Sequence, residues 1–370
     1  MLLYQVLKIV AKIKLLPTPE QSALLLTTLH RCNECANWLS AEAWNIKVFS
    51  YFALQKPLYH PAREQFKLTA QLTVRVFSKV ADAYKLDKNR LRVFGKTGAI
   101  AYDDRILSFR KESHVNIWTI GGRQSIAYIA GPRQIEQLKQ RQGESDLIYH
   151  RGKWYLGVTC NVEEPALREV DEWLGVDFGV SQIATDSDGG SYSGDTIKGV
   201  RYRRRKLRSK LQRKGTRGCH RKLRELAGRE YRFASDVNHV ISKQIVAKAK
   251  DTGRGIAIEE LRGIRNRITA GRKQRAVLHS WAFSQLRQFV EYKARLAGVA
   301  VAVVDPRNSS RECSECGHID KRNRPSQSKF RCRSCGHEAH ADFNAATNLR
   351  ERGRASASRP NVAQKLAATS

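Results

Sequence analysis

Two pairs of cysteines near the C-terminus constrain the fold of this chain more than any other feature. The pairs are Cys313-x2-Cys316 and Cys332-x2-Cys335, with 15 residues between them, and each is followed directly by Gly and His. This spacing is typical of a four-cysteine zinc ribbon, in which two turns present four thiolates to one tetrahedral ion. Because all four ligands are protein groups, the spacing predicts a structural Zn²⁺ rather than a catalytic one.

The other four cysteines favour packing roles. Cys32 and Cys35 also have CxxC spacing, with His30 nearby, but they lie in an apolar stretch with no second pair. Cysteine is frequently buried as a small hydrophobic residue, so we expect both in a helix that faces a core. Cys160 is expected on a strand, and Cys219 is expected to be a lone thiol.

The charge of the chain points to a polyanionic partner. There are 67 Lys and Arg against 35 Asp and Glu, a formal net charge of +32, and such an excess favours nucleic acid. The densest stretch, residues 201–233, carries 15 basic and 2 acidic residues, a local net charge of 15 − 2 = +13. We predict one basic helix there that contacts phosphates, the alternative being a basic face without a specific partner. The candidate contacts are Arg203, Arg204, Arg205, Lys206, Arg208, Lys210, Arg213 and Lys214.

Hydrophobic periodicity divides the chain near residue 172. Before it, period-two stretches predict an antiparallel β domain, which includes a first strand with a basic outer face and a hairpin turning at Arg151 and Gly152. Inserted helices are expected after Thr18, which begins a capping box with Gln21, and from Arg63 to Lys85. After residue 172, strands alternate with helices, which favours an α/β domain. Lysines interrupt the apolar N-terminal stretch, so we expect no signal peptide and an intracellular protein.

Three carboxylates occupy positions that suit a metal site. Asp177 lies inside the apolar stretch LGVDFGV, Glu259 ends the apolar run GIAIE, and Asp342 begins the final helix. Acids at strand ends and at a helix start can converge, and three of them can hold two Mg²⁺ ions about 4 Å apart. Each acid also has an ordinary interpretation: a turn at Asp177, an ion pair of Glu259 or Glu260 with Arg262, and an N-cap at Asp342.

Six stretches resemble one known family in order and spacing. They are LGVDFG, IAIEEL, HSWAFSQLRQFVEYKA, DPRNSSRECSECG, FRCRSCG and HADFNAATNL. They are similar to the RuvC-like domain of TnpB, the insertion-sequence protein related to compact type V CRISPR nucleases. KIKLLPTPEQ, CNECANW and GREYRFASDVNHVISKQIV extend the resemblance over nearly the whole chain. Ala341 stands where the family usually has an Arg before the final Asp, which puts an arginine contact in question.

The resemblance implies an RNA-guided DNA endonuclease. Its fold would be an RNase H-like (RuvC) α/β nuclease domain with an inserted zinc ribbon, preceded by an antiparallel β-barrel with inserted helices. Asp177, Glu259 and Asp342 would be the catalytic acids and the ligands of two Mg²⁺ ions, or of Mn²⁺. A guide RNA and double-stranded DNA beside a short flanking motif would be the partners, in a prokaryotic cytoplasm. The helix from Arg63 to Lys85 would be the candidate for contacting the flanking motif.

The implied domain bounds follow the motifs. The expected domains are a β-barrel (1–16 and 86–171), a helical recognition insert (17–85), a nuclease domain (172–305 and 340–352), the zinc ribbon (306–339) and a disordered tail (353–370). Two other functions stay open, namely a catalytically silent RNA-guided repressor and a DNA strand-transferase. The intact acid trio disfavours the first, and the second should join DNA ends without an RNA.

Overall fold

The computed structural model describes residues 6–110, 112–179, 182–192, 195–260 and 283–357, without the side chains of residues 195–198. The chain separates into two compact units, Met1–Glu163 and Glu164–Ser370. None of the described helices is long and apolar enough to cross a membrane.

The first unit contains a seven-stranded antiparallel sheet in the order β2-β6-β7-β1-β5-β4-β3. The sheet is nearly closed, because the Tyr102 hydroxyl on one end strand donates to the Trp118 carbonyl oxygen near the other end, at 3.1 Å. The hairpin predicted at Arg151 and Gly152 is confirmed, and both residues have positive φ. The strands are β1 (Val6–Leu16), β2 (Ile100–Tyr102), β3 (Leu107–Arg110), β4 (His114–Thr119), β5 (Gly122–Ile129), β6 (Arg141–His150) and β7 (Lys153–Glu163).

The described helices of the first unit are α1 (Pro19–Ile46), α2 (Tyr51–Phe66), α3 (Ala70–Leu86) and α4 (Pro132–Lys139). Of these, α1, α3 and α4 pack on this sheet, and α2 packs on α1 and α3. The capping box of Thr18 and Gln21 is present, and Cys32 and Cys35 are fully buried in the core, as expected. The single helix predicted from Arg63 to Lys85 is wrong, because Lys67 adopts a left-handed conformation (φ 49°) that ends α2 before α3 begins.

The second unit is built on a four-stranded sheet in the order β11-β10-β8-β9. Strands β8 (Trp173–Asp177), β10 (Gly255–Glu259) and β11 (Val301–Val304) are parallel, and β9 (Thr185–Asp186) is antiparallel to β8. The helices are α5 (Asp195–Lys214), α6 (Arg217–Asp251), α7 (Phe283–Ala297) and α8 (Ala341–Ala357). Apolar side chains of α6 and α7 pack on one face of the sheet. Helix α8 packs on the opposite face, so closely that a Cβ at Gly175 would lie 1.9 Å from the Ala346 carbonyl oxygen.

Two expectations for this unit need correction. The basic stretch 201–233 is two helices rather than one, because Gly215 has φ 66° and Thr216 then caps α6 through the Cys219 N–H. Helix α8 continues to Ala357, so the disordered tail expected from residue 353 does not begin there. Residues 358–370 lie outside the described residues.

Candidate metal and nucleic-acid site

Strand parity places two of the predicted acids on the same face of the parallel sheet. Leu174 and Val176 point into the core under α6 and α7, so the odd-numbered residues of β8 face α8. In β10, Ala257 pairs with Gly175, which puts Glu259 on the α8 face as well. Asp177 and Glu259 are therefore the last residues of two adjacent parallel strands and lie at the same edge of the sheet.

Helix α8 brings the third acid to this edge. It runs antiparallel to β8: Gly353 packs against Trp173, Ala346 against Gly175, and Asp342 begins the helix at the end of β8. A Cβ built at Gly179, just after β8, would lie 3.8 Å from Asp342 Oδ2. The three elements thus bring Asp177, Glu259 and Asp342 to one corner, which we call the acid corner.

The carboxylates of the acid corner act on one another electrostatically. Burial raises the pKa of Asp177 to about 7, with a smaller contribution from the negative charge of Asp342. The positive charge of Arg324 opposes this rise. Desolvation and then the charge of Asp177 raise the pKa of Glu259 well above its usual value. Glu259 and Asp342 are 8% and 6% exposed. Uncompensated charge of this kind is typical of a site that receives a cation.

The structure distinguishes between the two neighbouring glutamates. Glu260 forms an ion pair with Arg287 on α7, whereas Glu259 faces Asp177. The pairing with Arg262 considered from the sequence falls on a residue outside the described ranges. The geometry therefore puts Glu259 in the acid corner and Glu260 in a separate ion pair.

An arginine reaches the acid corner from the ribbon and not from position 341. The side chain of Arg324 donates from Nη2 to Asp342 Oδ1 at 3.2 Å and to the Gln327 carbonyl oxygen at 2.8 Å. Ala341 is fully buried in the ribbon core with Cys313, Phe330 and Cys332, a place too small for a guanidinium group. Asp342 therefore receives an arginine contact from Arg324, 18 residues upstream, which no sequence motif marked.

The four cysteines of the ribbon converge as their spacing predicts. Their Sγ atoms all lie within 4.8 Å of one another, and two pairs are 3.5 Å and 3.7 Å apart. A tetrahedral site with Zn–S bonds of about 2.3 Å has S···S edges of about 3.8 Å. The residues therefore fit zinc, and theirs is the only set of His, Cys, Asp and Glu atoms so tightly grouped within the described ranges.

Local backbone geometry forms the two cysteine turns. Gly317 and Gly336, which follow the two CxxC pairs, have φ of 72° and 78°, a conformation that glycine adopts without strain. Strands β12 (Lys329–Arg331) and β13 (Glu338–His340) pair antiparallel on either side of the second turn, and β13 leads directly into α8. Within this cluster, burial raises the pKa of the Cys313 thiol to about 12. At Cys332 the effect of burial is outweighed by the backbone N–H groups of Cys335 and Ser334, which lower its pKa to about 6 and favour the thiolate at that one position.

Two asparagines join the ribbon to the helix that carries Asp342. Asn344 donates to the Glu312 carbonyl oxygen at 2.7 Å and accepts from the Ser314 N–H. Asn348 donates to the carbonyl oxygens of Ser309 and Glu312, both at 2.8 Å. Both side chains are buried, so the first cysteine turn and the start of α8 are held together. The asparagines were visible in HADFNAATNL, but their partners were not.

Most of the predicted phosphate contacts lie on the exposed surface of α5. Six of the eight are exposed: Arg203, Arg205, Lys206, Lys210, Arg213 and Lys214. The other two are half-buried against α6, where Arg204 lies 4.6 Å from the ring centroid of Phe233 and Arg208 pairs with Glu230. These two stabilise the α5–α6 hairpin, and the exposed six form a basic surface.

Asp186 and Asp188, two acids of the stretch TDSDGG, connect the β9 turn to helix α6. Asp186 is fully buried and accepts from the Tyr192 hydroxyl and Lys248 Nζ, both at 2.7 Å. Asp188 pairs with Arg254 at 2.6 Å. The network ties the β9 turn to α6 beside the acid corner. The sequence pattern, two acids spaced two residues apart in a Gly-rich turn, does not indicate that Asp186 is buried.

Comparison with known proteins now adds to this geometry. Residues 283–349 match the family model described as "Cas12f1-like, TNB domain". Over 217 residues the chain is 33% identical to the CRISPR-associated endodeoxyribonuclease Cas12f1 of Sulfoacidibacillus thermotolerans, covering 54% of this chain and 50% of that protein. It is 34% identical over 128 residues to a TnpB-like protein of Methanocaldococcus jannaschii, covering 34% and 45%. The chain is thus similar to Cas12f1 over about half of its length and to a TnpB-like protein over about a third.

Further comparisons agree with this kinship. The Escherichia coli protein named "Putative RNA-guided DNA endonuclease InsQ" is 30% identical over 226 residues, 55% of each protein. The chain spans about half the length of the curated relatives it matches. In a solved Cas12f1–sgRNA–target DNA complex, the protein has the same fold (TM-score 0.60, 17% identity, 90% of this chain and 83% of that one). The Cas12f-like fold, with its antiparallel sheet and cysteine cluster, confirms the coarser part of the predicted fold class.

Proposed function

We propose that this relative of Cas12f1 and TnpB is an RNA-guided, metal-dependent DNA endonuclease. The observation that carries the proposal is that strand register and the packing of α8 put Asp177, Glu259 and Asp342 at one edge of a parallel sheet in a strongly basic chain. The sheet and α8 would form the RuvC-like nuclease domain, 172–305 and 340–352, interrupted by the zinc ribbon, 306–339. The first unit would hold the β-barrel and the recognition helices.

The acid corner fits a pair of divalent cations by its chemistry. Its donors are carboxylate oxygens, the ligands that Mg²⁺ prefers, and they repel one another in a desolvated place. When bound, Mg²⁺ supplies activation of the attacking water and stabilisation of the leaving oxygen. In the hydrolysis, a water oxygen bonds to phosphorus as the phosphorus–sugar oxygen bond breaks. Water loses one proton, and the leaving oxygen gains one.

The protein side chains would position the strand for this reaction. Asp177, Glu259 and Asp342 hold the negative charge that binds the cations, and Arg324 fixes the orientation of the Asp342 carboxylate. The exposed basic residues of α5 contact the backbone of the guide or target, which gives affinity without sequence information. Base pairing with the guide RNA supplies the sequence specificity, beside a short flanking motif read by the protein.

Neighbouring glutamates offer a matched test of the acid corner. Glu259→Gln should lower cleavage of a guide-matched duplex in Mg²⁺ by about 10²-fold or more, because a buried metal ligand loses its charge. Glu260→Gln removes one partner of the Arg287 pair and should leave cleavage within a few-fold of the unaltered protein. Cleavage is measured on labelled duplex with the RNA that co-purifies, and binding is measured in parallel.

The outcomes separate the candidate functions. Loss of cleavage with retained binding in Glu259→Gln supports the endonuclease. An unaltered protein that binds a matched target without cutting it would be a guided repressor instead. Joined DNA ends, formed without RNA, would identify a strand-transferase. Equal effects of Glu259→Gln and Glu260→Gln would contradict the assignment of Glu259.

A further inference from the structure

A cavity of about 560 Å³ lies beside the acid corner in the second unit. Two of its lining residues are direct neighbours of predicted catalytic acids. Thr185 pairs with Asp177 across strands β9 and β8, and Phe343 follows Asp342 on α8. The opposite wall is strand β13 of the ribbon, with His340 at its end. The cavity is thus formed by the ribbon on one side and the β9 turn on the other.

The charges around this cavity disfavour a phosphate inside it. Its described lining contains two acids, Asp188 and Glu338, and no Lys or Arg. Asp188 pairs with Arg254 at 2.6 Å and Glu338 with Arg331 at 3.1 Å, and neither arginine is part of the lining. A phosphate inside the cavity would therefore meet carboxylate oxygens and no cationic side chain of the lining, whereas a neutral ring needs no cation.

The remaining lining suits a nucleobase. Phe343 and His340 supply flat rings for stacking, and the hydroxyl groups of Thr185 and Ser191 can donate to or accept from a base edge. The volume lies within the usual range of small-molecule sites, about 300–1,000 Å³. A base that enters the cavity would leave its own phosphates outside, next to the acids on β8 and α8.

We propose that this cavity receives one base of the cleaved strand, from a nucleotide next to the scissile phosphodiester. The inference rests on the proposed nuclease function and adds a specificity site to it. A base held between the ribbon and the β9 turn fixes which phosphate reaches the acid corner. It also requires that the strand enter unpaired, because a base within a duplex cannot leave its stack without breaking its pair.

An abasic nucleotide tests the proposal directly. Single-stranded DNAs that match the guide and differ only in the position of one abasic site are incubated in Mg²⁺ with the full-length protein and the RNA that co-purifies with it. One position near the cut should slow cleavage about 10-fold, as loss of a stacked base does. Phe343→Leu and His340→Ala should slow cleavage of intact DNA but add little to the abasic defect at that same position. His318→Ala, in the other cysteine turn and outside the cavity, should behave as the unaltered protein.

The outcomes distinguish this site from a general folding effect. A variant that is only less well folded would slow cleavage of intact and abasic strands by the same factor. That outcome would overturn the proposal. So would the absence of any sensitive position near the cut. If no strand is cut, the nuclease proposal fails, and the cavity is tested by binding instead. The fluorescence of 2-aminopurine is then measured at successive positions of a strand bound in Ca²⁺. Quenching at one position, lost in Phe343→Leu, supports the cavity, and uniform emission contradicts it.

Discussion

Single charged side chains decide the chemistry of the acid corner. Asp177, Glu259 and Asp342 are adjacent because strand parity and the direction of α8 place them so. Arg324 is the cation that the ribbon adds, through its 3.2 Å contact with Asp342. Because Arg324 lowers the pKa of Asp177 against burial and the charge of Asp342, its removal should alter how protons compete for the site.

The pH profile of cleavage should report on Arg324. Asp177 has a raised pKa of about 7 without metal, so protons compete with cations below that pH. Arg324→Ala should raise this pKa further, move the acidic limb of the profile to higher pH, and weaken cleavage at pH 7 about 10-fold. More Mg²⁺ or a higher pH should restore part of the rate.

A neighbouring arginine provides the control for this prediction. Arg322 pairs with Asp320 on the surface, and its side chain is 76% exposed. Arg322→Ala should leave the profile where it is. An Arg324→Ala protein whose rate falls equally at every pH would contradict an electrostatic role for this residue.

The ribbon is the element that links the four-cysteine cluster to the proposed catalytic site. Its core contains Ala341, the residue before Asp342, and Asn344 and Asn348 fasten α8 to the first cysteine turn. A ribbon that lost its metal would therefore release the start of α8 and the Arg324 contact together.

Loss of zinc should disorder the ribbon and reduce cleavage through Asp342. Metal binding to such small sites is folding free energy, so Cys332→Ser should lower the zinc content, the melting temperature and cleavage together. Cys219→Ser, which alters a buried thiol on α6, should retain one zinc per chain. The measurements are metal analysis and limited proteolysis, and a Cys332→Ser protein with full zinc and normal protease resistance would refute the assignment.

In the α5–α6 hairpin, we expect one set of basic residues to bind nucleic acid and another set to stabilise the fold. Replacing the exposed Arg203, Arg205 and Lys206 by Gln should reduce the salt dependence of binding by about 2–3 in slope if each contacts a phosphate. Replacing Arg204 or Arg208 by Ala should lower thermal stability instead, because these side chains pack on Phe233 and Glu230. Similar slopes for both sets would contradict this division.

At the scale of the whole molecule, the net charge of +32 predicts a bound polyanion at all times. Protein purified at moderate salt should carry RNA, and sequencing should find one species with a variable 3′ segment. Random cellular RNA of many sequences would count against RNA guidance. It would still agree with non-specific RNA binding by the basic surface.

The sequence by itself determined several features whose cause is local. Cysteine spacing predicted the ribbon, period-two alternation predicted β1 and the hairpin at Arg151, and the resemblance to TnpB identified the relatives. The local pattern did not predict where a single left-handed residue ends a helix. Lys67 and Gly215 are such residues, and each divides a stretch that was predicted to be one helix. Only the tertiary structure decided that Asp177 and Glu259 share a face with Asp342, that Arg324 reaches Asp342, and that Asp186 is buried. Those contacts join residues distant in the chain, and electrostatics and packing between elements, not local propensity, fix them.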